Sequence, residues 1–131
     1  MQVGKMARIL VYNADQEVKR TMDLTDAQTA ILQVLNSITP RNARIGDLEY
    51  QLLLDSERHH YQLLVTGWQQ GKRVHGIVAQ MDIRDGLIWV QEDGTDVGLA
   101  TELEQLGVRA DQIVLAYQTP RVQAANDFVT R

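Results

Sequence analysis

The sequence predicts an α+β fold, with a mostly antiparallel sheet of about five strands, a meander plus one crossover strand, and helices packed on one face. Three observations carry this. Four apolar runs, at residues 48–55, 60–68, 73–83 and 87–92, alternate or pack with strand periodicity and are joined by connections of only a few residues, which force antiparallel neighbours. The last connection contains Asp85-Gly86, a pair suited to the positive φ angles of a primed hairpin turn. Helical periodicity stands on either side of this meander.

Residues 1–22 read as an N-terminal extension, with a short strand at 7–13 and a helical turn at 16–22, and residues 23–131 read as one domain. The first helix is predicted over 26–37. Thr25 and Gln28 have capping-box spacing, while Leu24, Ile31, Leu35 and Ile38, flanked by Ala27 and Val34, form an apolar stripe that Pro40 ends. In the first meander strand Leu48, Tyr50, Leu52 and Leu54 share a face, as do Ile77, Ala79, Met81 and Ile83 in the third. One sheet face is therefore core. After Gly94-Thr95 the period becomes helical, with Leu99, Ala100, Leu103 and Leu106 on one side and Gly107 placed as a left-handed cap. Residues 113–117 predict a buried fifth strand, which a right-handed crossover can pair in parallel. A terminal helix is expected over 120–128.

Composition narrows function by exclusion. At 131 residues the chain supports one core and leaves room for an oligomer interface; a homo-oligomer is expected. With no cysteine there are no disulfides, thiolate chemistry or zinc-ribbon sites, which fits a cytoplasmic location. No run reaches the length of a membrane span. The net charge is −4 and the thirteen basic residues are scattered, with Lys19-Arg20 and Lys72-Arg73 the only adjacent pairs, so direct grip on a phosphate backbone is disfavoured.

The candidate sites have structural explanations beside the functional ones. His59 and His60, adjacent in or beside a strand, point to opposite faces, and with His75 they lack a supporting carboxylate pattern, so no metal site is expected. Asp55, Glu57 and Arg58 form a charged corner that a turn explains; a nuclease would use Asp55, Glu57 and His59 but lacks the lysine such sites want. Asp93-Gly94-Thr95 leads into a helix N-terminus, where Thr95 or Asp96 caps exposed amides. Trp68 and Trp89 suit either a core edge or a binding hot spot. These residues by themselves name no function.

The order of motifs does more. Asp55-Ser56-Glu57-Arg58-His59-His60-Tyr61-Gln62-Leu63-Leu64, then Gly67-Trp68, then Asp82-Ile83-Arg84-Asp85-Gly86-Leu87-Ile88-Trp89-Val90-Gln91-Glu92-Asp93-Gly94-Thr95, followed by Leu106-Gly107-Val108 and Asp111-Gln112-Ile113-Val114-Leu115-Ala116, resembles the XisI family of fdxN-element excision controlling factors. Tyr117-Gln118 stands where that family commonly has Phe-His. The resemblance implies a cyanobacterial regulatory or accessory factor in excision of a DNA element, one that binds an endonuclease-like companion, XisH, and associates with DNA and a recombinase indirectly. It transfers no catalytic residue, and no cofactor is expected. Partner contacts are expected at Asp55, Glu57, Arg58, Tyr61, Trp68, Trp89 and Asp93. The alternatives are a DNA-binding factor that directs the recombinase and a small metal-dependent nuclease or hydrolase.

Overall fold

The computed structural model describes residues 10–12 and 18–119. Leu10–Tyr12 (β1) and Val18–Arg20 (β2) pair as an antiparallel ribbon, so a strand stands within 16–22 in place of the expected helical turn. A single helical turn carries a nucleation cost for one hydrogen bond, whereas the ribbon satisfies backbone groups of both segments. The expected helix at 120–128 lies outside the described residues.

Helix α1 runs from Leu24 to Ile38 and buries Ala27, Ala30, Ile31, Val34 and Leu35. The stripe is shifted from expectation at its start, where Leu24 remains 43% exposed. Asp23 occupies the N-cap, which puts Thr25 inside the first turn and corrects the Thr25–Gln28 capping box. Gln28 turns instead to the sheet, its Nε2 donating to Tyr61 Oη at 3.0 Å. At the other end Thr39 Oγ1 and N–H both donate to the Leu35 carbonyl, and Pro40 begins the exit.

The main sheet has six strands in sequential order, Arg44–Ile45 (β3), Leu48–Asp55 (β4), His60–Gln69 (β5), Lys72–Arg84 (β6), Leu87–Asp93 (β7) and Ile113–Leu115 (β8). All neighbours are antiparallel except β7 and β8, which the crossover through helix α2 (Leu99–Gln105) makes parallel. The additional strand β3 is two residues long. Strand β8 ends earlier than expected because the chain turns, Gln118 N–H donating to the Leu115 carbonyl. Positive φ at Gln70-Gly71 and Asp85-Gly86 gives the two tight hairpins their primed turns. Helix α2 ends in the expected glycine cap: Val108 N–H returns to Leu103 and Gly107 N–H to Glu104, and buried Val108 closes over Leu103.

Both helices cover one face. Their buried residues meet Tyr61, Leu63, Ala79, Met81, Ile83, Ile88, Val90 and Ile113 in one core. Two register shifts re-phase the long strand: opposite β5, Leu63 faces Ala79 and Leu64 faces Ile77, so Val78 is an extra residue; opposite β7, Gln91 is the extra one. The Val78 bulge turns Ile77 away from the core side it was expected to share with Ala79, leaving it 42% exposed. Gly94 N–H donates to the Val78 carbonyl at 2.7 Å and satisfies the bulge. Among the described residues no helix is long and apolar enough to cross a membrane.

Gly67 is the tightest point of the sheet. Its φ is +144°, and a Cβ there would lie 2.1 Å from the Asp47 carbonyl oxygen, a backbone atom that cannot swing away. Gly67→Ala is expected to destabilise by about 2 kcal/mol or more, read as a lower urea midpoint with an unchanged slope.

Candidate interaction face

Strand register lays out the face of the sheet that the helices leave uncovered. Across β5 and β6, His60 stands opposite Asp82, Gln62 opposite Gln80, Leu64 opposite Ile77, Thr66 opposite His75 and Trp68 opposite Arg73. Strand β4 adds Asp55 beside His60, Leu53 beside Gln62 and Gln51 beside Leu64. Trp89 lies next to Asp82 on β7.

Its middle is a cross-strand polar chain. His60 Nδ1 is 3.0 Å from Asp82 Oδ1, Gln80 Nε2 donates to the same oxygen at 3.1 Å, and Gln62 Nε2 donates to Gln80 Oε1 at 2.8 Å. Asp82 is the one buried charged residue among those described, 9% exposed, and this chain supplies the partners its carboxylate needs. A tryptophan stacked under an arginine stands at each end of the face. Trp68 is 54% exposed beneath Arg73, 5.6 Å from guanidinium carbon to ring centroid, and Trp89 is half-buried beneath Arg84 at 3.9 Å. Trp89 Nε1 also donates to the Arg84 carbonyl, so its polar atom is already used. Trp68 offers the larger accessible apolar surface, with Thr66 and His75 next to it on the same face and Leu64 and Ile77 beyond them.

The sequence-predicted residues divide accordingly. Asp55 closes the β4–β5 turn, its carboxylate accepting from the amides of Glu57 and Arg58 and from the Arg58 guanidinium at 3.2 Å. The Arg58 amide holds its pKa below the ordinary 3.8; desolvation is the next largest effect and opposes it, and the Arg58 side chain and the Glu57 amide add to the lowering. Glu57 and Arg58 are exposed on that turn. His59 takes a left-handed conformation there, and its Nδ1 is buried without a hydrogen-bond partner. Tyr61 is only 1% exposed and belongs to the core, which corrects its expected place among surface contacts; its strand phase, opposite to that of His60, carried the signal. Asp93 is turned inward as a cap: Oδ2 accepts from the Leu99 amide at 2.8 Å and Oδ1 from the amide and hydroxyl of Thr95. Thr95 Oγ1 accepts in turn from the Gly98 amide, so Asp93 and Thr95 do the capping expected of Thr95 or Asp96. Arg58 and Trp68 lie at opposite ends of β5 and do not meet. Sequence reading missed Leu53, Leu64 and Ile77 as surface residues, Ile77 because a bulge leaves no mark in periodicity. Among the described residues, no three of His, Asp and Glu converge where they could hold a metal ion.

Two outcomes test this geometry. Asp55 has a depressed pKa in the fold, so its stabilising effect is complete above the ordinary carboxylate value and is lost as pH falls through the folded value. The melting-temperature gap between wild type and Asp55→Asn should therefore close as pH drops below 3.8. Asp93→Ala removes the acceptor for the first amide of α2 and should cost about 1–2 kcal/mol in chemical denaturation.

Comparison with known proteins gives this geometry a context. A family model described as XisI protein matches residues 22–130. The crystal structure of a XisI-like protein from Anabaena variabilis ATCC 29413 is similar at 37% identity and a TM-score of 0.74, covering 80% of this chain and 96% of that one. That of the fdxN element excision controlling factor XisI from Anabaena variabilis ATCC 29413 is similar at 26% identity and a TM-score of 0.66, covering 78% of this chain and 93% of that one. No curated protein matches the chain.

Proposed function

The chain belongs to the XisI family, and from that premise we propose that it is a non-catalytic accessory factor in control of site-specific excision of an fdxN-type DNA element. It acts by binding an endonuclease-related XisH-like protein, and it reaches DNA and the recombinase through that companion. The similarity to the excision controlling factor supports the role in excision.

The observation that carries the contact is the exposed Trp68 on the uncovered sheet face, paired with Arg73 and followed along that face by Thr66 and His75 and then by Leu64 and Ile77. A large exposed aromatic ring with an arginine over it is suited to burial against another protein. Of the carboxylates the nuclease reading would use, Asp55 is engaged in its own turn and Glu57 is exposed on it. Net charge of −4 supports a protein partner over a phosphate backbone.

The test is calorimetric titration against the XisH-like protein of the same genome, with and without DNA. Tight binding without DNA is expected, weakened about tenfold or more by Trp68→Ala while thermal stability is kept. Association that appears only with DNA and falls steeply with salt would replace this reading by direct DNA binding, and a Trp68→Ala complex of undiminished affinity would move the contact off this face.

A further inference from the structure

Besides the short outer strands β3 and β8, strands β4 and β6 of the main sheet each have a stretch without a partner on one side, and the chain treats the two differently. Strand β6 pairs with β7 only from Ala79 to Arg84, so residues 72–77 have β5 on one side alone. That stretch carries Lys72, Arg73, His75 and Gly76, the charged and weak-strand residues that discourage further pairing. Strand β4 pairs with β3 only at Leu48 and Glu49, which leaves Tyr50 to Asp55 open. This edge reads Tyr-Gln-Leu-Leu-Leu-Asp, without lysine, proline or bulge, and exposes Leu53 and Leu54 at 48% each. A shallow groove of about 500 Å³ beside it is lined by Leu53, Leu54, Asp55, His60, Gln62 and Gln80.

We propose that a second copy of this chain covers the β4 edge, pairing β4 antiparallel with itself about a two-fold axis through Leu53 and joining two six-stranded sheets into one. The inference goes beyond the accessory role and does not depend on it. Backbone phase sets the geometry. Trp68 N–H donates to the Asp47 carbonyl, so the backbone groups of residue 47 face β5. Alternation then directs those of Tyr50, Leu52 and Leu54 outward. A two-fold axis perpendicular to the sheet keeps the helices of both copies on one side. It places Leu52 opposite Leu54 of the second copy, where outward groups meet, and Leu53 opposite its own symmetry mate, covering both exposed leucines.

Charge selects a second copy over an unrelated strand. The acidic turn with Glu57 lies at one end of the free edge, and the turn Arg41–Ala43, carrying Arg41, lies at the other. Asp55 and Arg44 are already matched within the chain, to Arg58 and Glu49. By the same register residue 57 of each copy falls level with residue 49 of the other, at the end of the edge where Arg44 and the turn carrying Arg41 lie, so Glu57 meets that basic end twice.

The chain has no cysteine, which makes the test direct. Leu53→Cys faces itself across a non-hydrogen-bonded pair, with Cα atoms about 4.5 Å apart, and should form a disulfide dimer on mild oxidation; Ile45→Cys, exposed on β3, should not. In sedimentation the wild type should be a dimer, Leu54→Lys should raise its dissociation constant about tenfold or more with an unchanged circular dichroism spectrum, and Arg41→Glu and Glu57→Arg should each weaken it. Mixing those last two variants restores both contacts and should restore a heterodimer. A wild-type monomer, a dimer indifferent to Leu54→Lys, equal cross-linking at Leu53 and Ile45, or mixed variants that stay apart would each overturn the proposal, the last by removing the charge pairing that chose the occupant.

Discussion

The architecture depends on covering one face of the sheet and leaving the other open. Helices of fifteen and seven residues bury a continuous apolar layer on β5, β6 and β7, and that layer fixes register, because a slip of one residue would expose the entire buried set. The two bulges follow from this requirement. Strand β6 is thirteen residues long, and its phase must match α1 and α2 at one end and the β5 hairpin at the other; the extra residue at Val78 lets both phases stand. The open face inherits whatever the core does not take, which is how Ile77 and Trp68 reach the surface together.

Much of this was legible in the sequence. The bounds of β4 were set by alternation and by the turn residues around it, and the hairpin at Asp85-Gly86 by a dipeptide whose conformational needs are narrow. The parallel pairing of β8 followed from a strand-helix-strand order that has one handed solution. What escaped was decided by tertiary contacts. Thr25 and Gln28 have the spacing of a cap, yet the buried Tyr61 hydroxyl draws Gln28 to the sheet. The carboxylate of Asp93 looked like a surface group, and it is the acceptor on which α2 begins. Alternation separates Tyr61 from His60 plainly enough, and motif spacing obscured it by presenting both as one charged, aromatic block.

The polar side chains show a division of labour consistent with an accessory protein. Asp55, Asp82 and Asp93, carboxylates that could otherwise invite chemistry, are each engaged by hydrogen bonds that hold a turn, a strand pair or a helix start. The exposed aromatic and aliphatic groups, by contrast, have room on one side. Such a distribution spends charge on internal order and leaves shape and apolar area for recognition, in keeping with a surface that need not attract a polyanion.

The reach of the β5–β6 hairpin also gives the molecule two built-in reporters. Trp68 lies past the last paired β4 residue, Gly67, and past the end of β7, held by its own hairpin mate and by one backbone hydrogen bond to the Asp47 carbonyl; Trp89 sits in a strand flanked on both sides. Opening of the hairpin tip changes the fluorescence environment of the first ring without disturbing the second, which responds only when the sheet itself comes apart. The two rings therefore report on different parts of one sheet, the first on its tip and the second on its centre.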